Sequence, residues 1–235
     1  MRFAFLQEPP FCFTDASGRA DGCDTKLASK ICQMLDLGDF SPIEAEFAEL
    51  LPGVAEGRWD MTTGLFVSDE RKRLVDFTRP IWSLPDGLMV ARDNPLELKG
   101  YRSLARHPSA ILAVIADQIQ HQTALQNGVP PDRVRMFATQ AQAAEAVAKG
   151  TVQAYASVAM AHRGYVGGRP GAALDVIDVP IPEKPPASGA FALAKGNEAL
   201  RRRVDQCLGE LLGSAWHREM MAGYGFSDAD IDRLL

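Results

Sequence analysis

Arg71 is the residue of this sequence whose type and position most clearly suggest chemistry. The apolar residues 64–67 read as a strand, and Ser68 followed by two acids is typical of a helix start. Arg71 then lies in the first helical turn near the mouth of the strand, where its guanidinium could hold a carboxylate through two parallel hydrogen bonds. Spacing alone favours a more ordinary interpretation, a solvated run of charges over residues 69–73.

Three phenylalanines and one glutamate add to this candidate site. Phe11, Phe47 and Phe66 each lie at a predicted strand end or in the loop beyond it. Open α/β sheets bind ligands outside the carboxyl ends of their strands. Glu8 lies at the exit of the first strand, and a carboxylate beside aromatic rings suits a delocalised or alkylated cation. The ordinary alternatives are core packing for each ring and a solvated loop position for Glu8.

The composition is that of a globular protein with room for two lobes. The 235 residues are 46% hydrophobic and 23% charged, which excludes disorder. The net charge of −5 argues against a nucleic-acid or anionic-membrane partner. No apolar run approaches the roughly 20 residues of a membrane span. The four cysteines lack CxxC or metal spacing, and we expect no disulfide between Cys12 and Cys23, which lie unevenly around a predicted turn.

Strands and helices alternate along the chain, which favours an α/β architecture. Strands are predicted at residues 3–6, 43–47 and 61–67 in a first lobe, at 110–115, 134–138 and 154–158 in a second lobe, and at 190–194 on the return. Residues 87–91 read as a strand leading out of the first lobe, and the proline-rich residues 180–186 as a linker. The predicted domains are residues 1–90 with 187–235, and residues 91–186, joined by two crossovers that imply a hinge.

Residues 64–82, GLFVSDERKRLVDFTRPIW, preceded by Trp59-Asp60, resemble the motif of periplasmic solute-binding proteins of polar amino-acid ABC transporters, family 3. The order of elements and the closing Tyr224-Gly225-Phe226 are similar as well, over nearly the whole chain. The resemblance implies a two-lobed type II periplasmic binding protein fold with a two-strand hinge, which closes on a small ligand and delivers it to ABC transporter membrane subunits. It also implies a periplasmic monomer without a cofactor, whose signal peptide, not present in this chain, we expect to have been removed.

By this resemblance, Arg71 takes the place of the arginine that clamps a ligand carboxylate, and Phe47 that of an aromatic that stacks on ligands. Two positions depart from the amino-acid binders. Phe66 stands where they usually carry serine or threonine, and Ser157-Val158 stand where they commonly place an aspartate for the α-ammonium of the ligand. Because a buried, unpaired ammonium is heavily penalised, we predict a ligand other than an ordinary α-amino acid.

The lobe-one pattern resembles the ectoine- and hydroxyectoine-binding branch of the family, in which a carboxylate would face Arg71 and a cyclic amidinium would face Glu8 and the rings. In lobe two, Asp117 lies at a strand-to-helix turn, where it could contact a cationic group or, as we favour, cap its helix. The full set of predicted ligand-binding residues is Glu8, Phe11, Phe47, Gly64, Phe66, Arg71, Asp117, Gln120, Thr139 and Ser157.

Two other functions occur on this fold. One is a cyclohexadienyl dehydratase-like enzyme, in which a buried Glu8 could act as acid or base, and the other is a ligand-binding sensor domain of a receptor. The histidines argue against the enzyme, since they show no nucleophile–base spacing, no HExxH pair and no metal cluster. They are His107, His121, His162 and His217. We therefore expect a binding protein with no catalytic residues and no metal.

Overall fold

Thirteen strands and ten helices are found in the parts of the chain that the computed structural model describes, residues 1–169 and 171–235. The strands, numbered along the chain, are β1 (Arg2–Phe5), β2 (Phe13–Thr14), β3 (Ala20–Asp21), β4 (Ser41–Glu44), β5 (Met61–Phe66), β6 (Val75–Phe77), β7 (Trp82–Leu84), β8 (Asp86–Ala91), β9 (Leu112–Ile115), β10 (Val134–Phe137), β11 (Ala154–Val158), β12 (Leu174–Asp178) and β13 (Ala187–Ala194). The helices are α1 (Cys23–Met34), α2 (Phe47–Ala55), α3 (Asp69–Lys72), α4 (Tyr101–Arg106), α5 (Ile119–Gln126), α6 (Gln140–Ala148), α7 (Ala159–Gly167), α8 (Glu198–Leu211), α9 (Ala215–Gly223) and α10 (Asp228–Asp232).

The chain divides into two units, each with its own sheet. Unit 1 comprises Met1–Ser83 and Ala187–Leu235, and unit 2 comprises Leu84–Pro186. The alternation of strands and helices predicted an α/β architecture, and both units have it.

The sheet of unit 1 has the strand order β4-β1-β5-β13-β6, with β7 beside β13. β1 runs parallel to both β4 and β5, so the carboxyl ends of these three strands lie at the same end of the sheet. The central strands are almost fully buried, as expected for a sheet with both faces covered. On one face, Leu50 and Val54 of α2 pack with Trp59 and Leu65 in a continuous core.

The sheet of unit 2 has the strand order β10-β9-β11-β8-β12. β9, β10 and β11 are parallel, whereas β8 runs antiparallel to β11 and β12. The prediction that residues 87–91 belong to the first lobe is therefore wrong. A buried apolar run fits the centre of either sheet equally well, and only its pairing with β11 and β12 moves the division to Ser83–Leu84.

Residues 180–186, predicted as a linker, are held to unit 2 by hydrogen bonds. The Glu183 carboxylate accepts the Arg102 N–H at 3.0 Å, and the Arg102 guanidinium donates to the Pro182 carbonyl at 2.9 Å. The Asn127 amide donates to the Glu183 carbonyl at 3.0 Å. Prolines prevent regular structure in this segment, but these contacts make it an ordered part of unit 2.

All four cysteines are buried and free, namely Cys12, Cys23, Cys32 and Cys207. Their packing matches the ordinary behaviour of cysteine as a small apolar side chain. Within the described parts of the chain, no helix is both long and apolar enough to cross a membrane.

Candidate ligand-binding site

The predicted ligand-binding residues of unit 1 gather at the carboxyl end of its sheet. Glu8 and Phe11 follow β1, and Phe66 is the last residue of β5. Phe47 is not the end of a strand, as predicted, but the first residue of α2, directly after β4. Because β1, β4 and β5 are parallel, all of these positions lie where open α/β sheets bind ligands.

Arg71 is held over the end of β5 rather than in open solvent. The Ser68 hydroxyl accepts the Arg71 N–H at 3.2 Å, which confirms the predicted cap of α3. The Arg71 guanidinium donates to the Phe66 carbonyl at 2.9 Å and lies 5.3 Å from the centre of the Phe47 ring. Lys72 and Arg73 are exposed, whereas Arg71 is partly buried. The charged run is therefore not a uniformly solvated surface.

Phe11 and Phe66 meet on a third aromatic side chain, Trp82, which was not among the predicted residues. The Trp82 ring centre lies 5.4 Å from that of Phe11 and 5.3 Å from that of Phe66, the second pair edge to face. Phe226, in the closing Tyr-Gly-Phe segment, packs against Phe11 at 5.9 Å. We call Phe11, Phe66, Trp82 and Phe226 the aromatic cluster, and all four are buried. The one sequence signal for Trp82 was its place at the end of the family motif.

Position 64 requires a glycine, because the side chains of Trp82 and Asp24 lie too close to the main chain there for a Cβ atom. A Cβ at this position would lie 2.7 Å from Trp82 Nε1 and 3.0 Å from a carboxylate oxygen of Asp24. Gly189 on β13 is similar, because a side chain there would overlap the Trp82 ring. The two glycines make room for the indole against the sheet. Any ligand contact of Gly64 is thus limited to its main chain.

The buried carboxylate of Asp24 lies beside Gly64 and was also not predicted as part of the site. Asp24 is the second residue of α1 and is 2% exposed. Its Oδ2 atom accepts the Gly64 N–H and the Thr63 hydroxyl, both at 2.8 Å. Burial raises the pKa of Asp24 to about 6, although these hydrogen bonds oppose the shift. Because acids are common in the first turn of a helix, the type and position of Asp24 did not distinguish it as a site residue.

Glu8 lies in a tight loop that also carries Phe11. The Phe11 N–H donates to the Glu8 carbonyl at 3.0 Å, and the Glu8 N–H donates to the Cys12 carbonyl at 2.8 Å. Burial raises the pKa of the Cys12 thiol, and the charges of Asp24 and Glu8 raise it further. Glu8 is partly buried, and its charge acts on the buried Cys12 thiol. It therefore differs from an ordinary solvated loop residue.

The predicted residues of unit 2 also gather at the carboxyl end of their sheet. Asp117 follows β9, Thr139 follows β10, and Ser157 is the last residue but one of β11. β9 pairs in parallel with both β10 and β11, which brings the three positions to the same end of the sheet. Gln120 lies at the start of α5, close to Asp117 in sequence.

Asp117 does not cap α5, contrary to the prediction. The N-cap is Gln118, and Asp117 is exposed with a φ of 64°, a left-handed conformation that aspartate tolerates better than most residues. Gln120 is buried, and its amide donates to the Asp86 carboxylate at 3.1 Å. The Tyr101 hydroxyl donates to the same carboxylate at 2.7 Å. Gln120 therefore has a structural role inside unit 2.

Thr139 and Ser157 differ in their surroundings. The Thr139 hydroxyl caps α6 by accepting the Gln142 N–H at 3.3 Å. Ser157 is buried within β11, and Val158 beside it is the N-cap residue of α7, without a side-chain hydrogen bond to the helix. Valine has no hydrogen-bond acceptor in its side chain. The side chain at this position therefore cannot form the ion pair with a ligand ammonium that an aspartate would form.

Groups suited to metal binding do not come together in residues 1–169 and 171–235, where no three His, Cys, Asp or Glu side chains could hold an ion. Burial lowers the pKa of His162 to about 3 and that of His217 to about 4. Both histidines are neutral near pH 7 as a result. They lie in α7 and α9, on different units.

Residues 1–226 match the family of bacterial extracellular solute-binding proteins, family 3. A "probable amino-acid ABC transporter periplasmic-binding protein" of Sinorhizobium fredii is 28% identical over 234 residues, which cover 95% of this chain and 76% of the relative. An L-arginine-binding protein of Pseudomonas aeruginosa is 27% identical over 101 residues, 40% of this chain and 39% of the relative.

Solved structures show the same architecture. The crystal structure of EhuB in complex with hydroxyectoine has a TM-score of 0.88 at 28% identity and covers 99% of this chain and 90% of its own. An ancestral arginine-binding protein bound to glutamine has a TM-score of 0.83 at 22% identity, with 95% and 96% covered, and supports the fold alone. These likenesses confirm the predicted two-lobed α/β fold.

The family match spans nearly the whole chain, and family 3 proteins are receptors rather than enzymes. The absence of an enzymatic role was predicted from the sequence and is confirmed by this match. The chain belongs to the bacterial extracellular solute-binding proteins, family 3, and is a periplasmic receptor that binds amino acids or compatible solutes for an ABC transporter.

Proposed function

We propose that this receptor binds a zwitterion that joins a carboxylate to a delocalised cation, such as ectoine or hydroxyectoine, for uptake by its ABC transporter. The observation that carries the proposal is the position of the Arg71 guanidinium, between the Phe66 carbonyl and the Phe47 ring at the carboxyl end of the sheet. The likeness to EhuB in complex with hydroxyectoine, at 28% identity, supports it.

Arg71 would supply the contact to the carboxylate. Its Nη1 atom donates to the Phe66 carbonyl, which restricts the orientation of the guanidinium plane. A planar guanidinium held in this way can offer parallel N–H groups to both oxygens of a carboxylate. The restriction also lowers the entropy that would otherwise be lost when a mobile side chain is ordered by the ligand.

Glu8 and the aromatic cluster would supply the contact to the cation. Phe66 replaces the hydroxyl that amino-acid binders usually carry, so this end of the sheet is more apolar and richer in π faces. A cation over such a face gains about 0.5–2 kcal/mol, more when water is excluded. Glu8 lies in the loop that carries Phe11 and brings a negative charge to the same region.

An ordinary amino acid is the second candidate, because the names of both curated relatives refer to amino acids. A buried α-ammonium needs a negatively charged hydrogen-bond acceptor. The Val158 side chain has no acceptor atom. We therefore expect ordinary amino acids to bind more weakly than ectoines.

Unit 2 is expected to add contacts from its own carboxyl end. Gln120 and Thr139 already make hydrogen bonds within the unit, so any contribution to the ligand would use their remaining polar atoms. The contacts predicted for Asp117 and Ser157, the hinge closure and the monomeric state likewise stay predictions.

A thermal-shift screen followed by calorimetry tests the proposed function. The panel contains ectoine, hydroxyectoine, glycine betaine, proline and the ordinary amino acids. A ligand at about 100 times its Kd stabilises the folded state by about 2.7 kcal/mol, which raises Tm by several degrees. We expect a shift with the ectoines and none, or a smaller one, with amino acids. A shift with amino acids alone would refute the choice of ligand and leave the receptor function intact.

A further inference from the structure

Asp24 connects the two chain segments that carry the unit 1 ligand residues. Its Oδ2 atom accepts hydrogen bonds from the Thr63 hydroxyl and the Gly64 N–H, within β5. Its own N–H donates to the Phe11 carbonyl at 3.0 Å, in the loop that also carries Glu8. A single buried residue thus links β5, through its side chain, to the loop, through its main chain. None of these contacts involves unit 2.

Two thiols and one further carboxylate lie near Asp24 or act on the groups around it. On α1, the Cys23 thiol lies 3.7 Å from Oδ1, and in the Glu8 loop the Cys12 thiol lies 3.2 Å from the Thr63 hydroxyl that Asp24 accepts. Burial raises the pKa of both thiols well above their usual range, so both are uncharged near neutral pH. From the loop, the charge of Glu8 also raises the pKa of the Cys12 thiol, so Glu8 acts on this cluster as well.

Trp82 brings the aromatic cluster into the same arrangement. Its buried indole N–H makes no hydrogen bond within the described residues, yet it lies close enough to the Asp24 carboxylate to favour the charged form. The same indole packs against Phe11 and Phe66. The aromatic cluster therefore lies next to a buried carboxylate, with Trp82 in contact with both.

We propose that Asp24 is a positioning and specificity-determining residue of the ligand site. Its buried negative charge, held against the main chain of Gly64, favours ligands that bring a cation to the aromatic cluster and couples their binding to the loss of a proton from Asp24. This role is additional to the contacts assigned to Arg71 and Glu8, and it rests on the proposed function, the binding of a zwitterion.

The coupling follows from two opposing effects. Burial disfavours the charged carboxylate and raises the pKa of Asp24 to about 6, so without ligand this group is partly protonated at mildly acidic pH. A ligand cation nearby favours the charged form in a medium of low dielectric and lowers this pKa. By linkage, binding releases a proton at mildly acidic pH, and affinity falls as the pH is lowered through about 6.

Calorimetry with ectoine and hydroxyectoine tests this coupling, with wild type and Asp24→Asn compared from about pH 8 to about pH 5. Asn keeps the size of the side chain and an oxygen acceptor but cannot be charged. We expect Asp24→Asn to bind about tenfold more weakly at pH 7, within the usual range of coupling between sites. We also expect it to lose the decline in affinity between about pH 7 and pH 5 that wild type shows.

Two further comparisons make the result specific. Asp60→Asn is the matched control. Asp60 directly precedes β5, the strand that contains Thr63 and Gly64, and its carboxylate pairs with the Arg2 guanidinium at 2.6 Å. The affinity and the pH profile of this variant should match those of wild type. Titrations of wild type in buffers of different ionisation enthalpy should show protons released on binding near pH 6, and Asp24→Asn should release fewer.

If Asp24→Asn does not fold, Thr63→Val replaces it. Loss of the hydroxyl donor removes a bond that stabilises the charged carboxylate, so the fall in affinity should move to higher pH. Binding with an unchanged pH profile in Asp24→Asn, or in Thr63→Val, would overturn the role of Asp24 and leave the proposed function standing. Failure of wild type to bind either ectoine would refute the proposed function itself, and this inference with it.

Discussion

The carboxyl ends of the two sheets differ in chemistry although both are built on parallel strands. In unit 1 this end carries a guanidinium, the aromatic cluster and the loop of Glu8. In unit 2 two of the four predicted polar residues make hydrogen bonds inside the unit, since Gln120 donates to Asp86 and Thr139 caps α6. We therefore propose that unit 1 selects the chemistry of the ligand and that unit 2 contributes fewer specific contacts.

Two buried aspartates illustrate the same difference. Burial raises the pKa of Asp24 and also that of Asp86. Asp24 accepts a hydrogen bond from the main chain of Gly64 within β5. It also lies close to the Trp82 indole, so its charge acts on the aromatic cluster. Asp86 is bonded by Tyr101 and by Gln120, which joins α4 and α5 to β8. The role of a buried carboxylate is thus indicated by its hydrogen-bond partners more than by its degree of burial.

The largest expected effect is that of Arg71→Ala. The substitution removes a charged donor able to make two hydrogen bonds to the ligand carboxylate, a loss of about 3 kcal/mol or roughly a hundredfold in Kd. Calorimetry with the best ligand of the screen measures it. Arg73→Ala is the matched control, because Arg73 is exposed in the same charged run and should leave Kd within about twofold.

Equal affinity in Arg71→Ala and wild type would remove the reason for placing ligand selection in unit 1. Equal losses in Arg71→Ala and Arg73→Ala would instead indicate a general effect of net charge. Only a large loss confined to Arg71 agrees with the guanidinium held by the Phe66 carbonyl.

A smaller effect is expected for Phe66→Leu, which keeps an apolar side chain but removes the aromatic face. Loss of one cation–π contact should weaken ectoine binding by about 1 kcal/mol, or roughly fivefold. Phe40→Leu is the control, because the Phe40 ring packs against Phe3 near the amino end of β1, 5.6 Å between ring centres. Similar Kd values for both variants and wild type would show that Phe66 acts only in packing.

Local patterns predicted part of the molecule well. Ser68 as the cap of α3 and the strand predicted at residues 61–67 depend on residues close in sequence. The structure confirms the cap and places the strand at Met61–Phe66, one residue shorter. The family motif around Arg71 predicted the fold, because a motif summarises long-range packing that no single segment contains. The cap and the strand were predictable because the signal and the structure lie within a few residues of each other, whereas the fold required the motif.

The missed features depend on contacts between distant segments. Trp82 reaches Phe11 across about seventy residues of sequence, and Asp24 reaches Gly64 across forty. β8 was assigned to the wrong lobe because its partners, β11 and β12, come much later in the chain. The cap of α5 is a different, local error, because it was expected at Asp117 and lies one residue further on. Composition and periodicity carry no information about such pairings.

The smallest expected effect is that of Asp117→Asn in unit 2. Asparagine adopts the left-handed conformation of this position as readily as aspartate, so the fold should be unaffected. If unit 1 selects the cation, removal of this charge should change Kd for ectoine by less than about threefold, the size of an exposed charge effect. Calorimetry at low and at moderate salt measures it, because a distant exposed charge is screened and a direct contact is not.

A tenfold loss in Asp117→Asn that persisted at moderate salt would place a counter-charge for the cation in unit 2. Asp117 would then pair with the ligand cation, as the aspartate in place of Val158 commonly does in amino-acid binders. The proposal that unit 1 alone selects the cation would be wrong. A small, salt-sensitive change would support the proposal, because it assigns the cation to Glu8, the aromatic cluster and the buried charge of Asp24. The two results therefore separate a ligand held by charges on both units from one selected by unit 1.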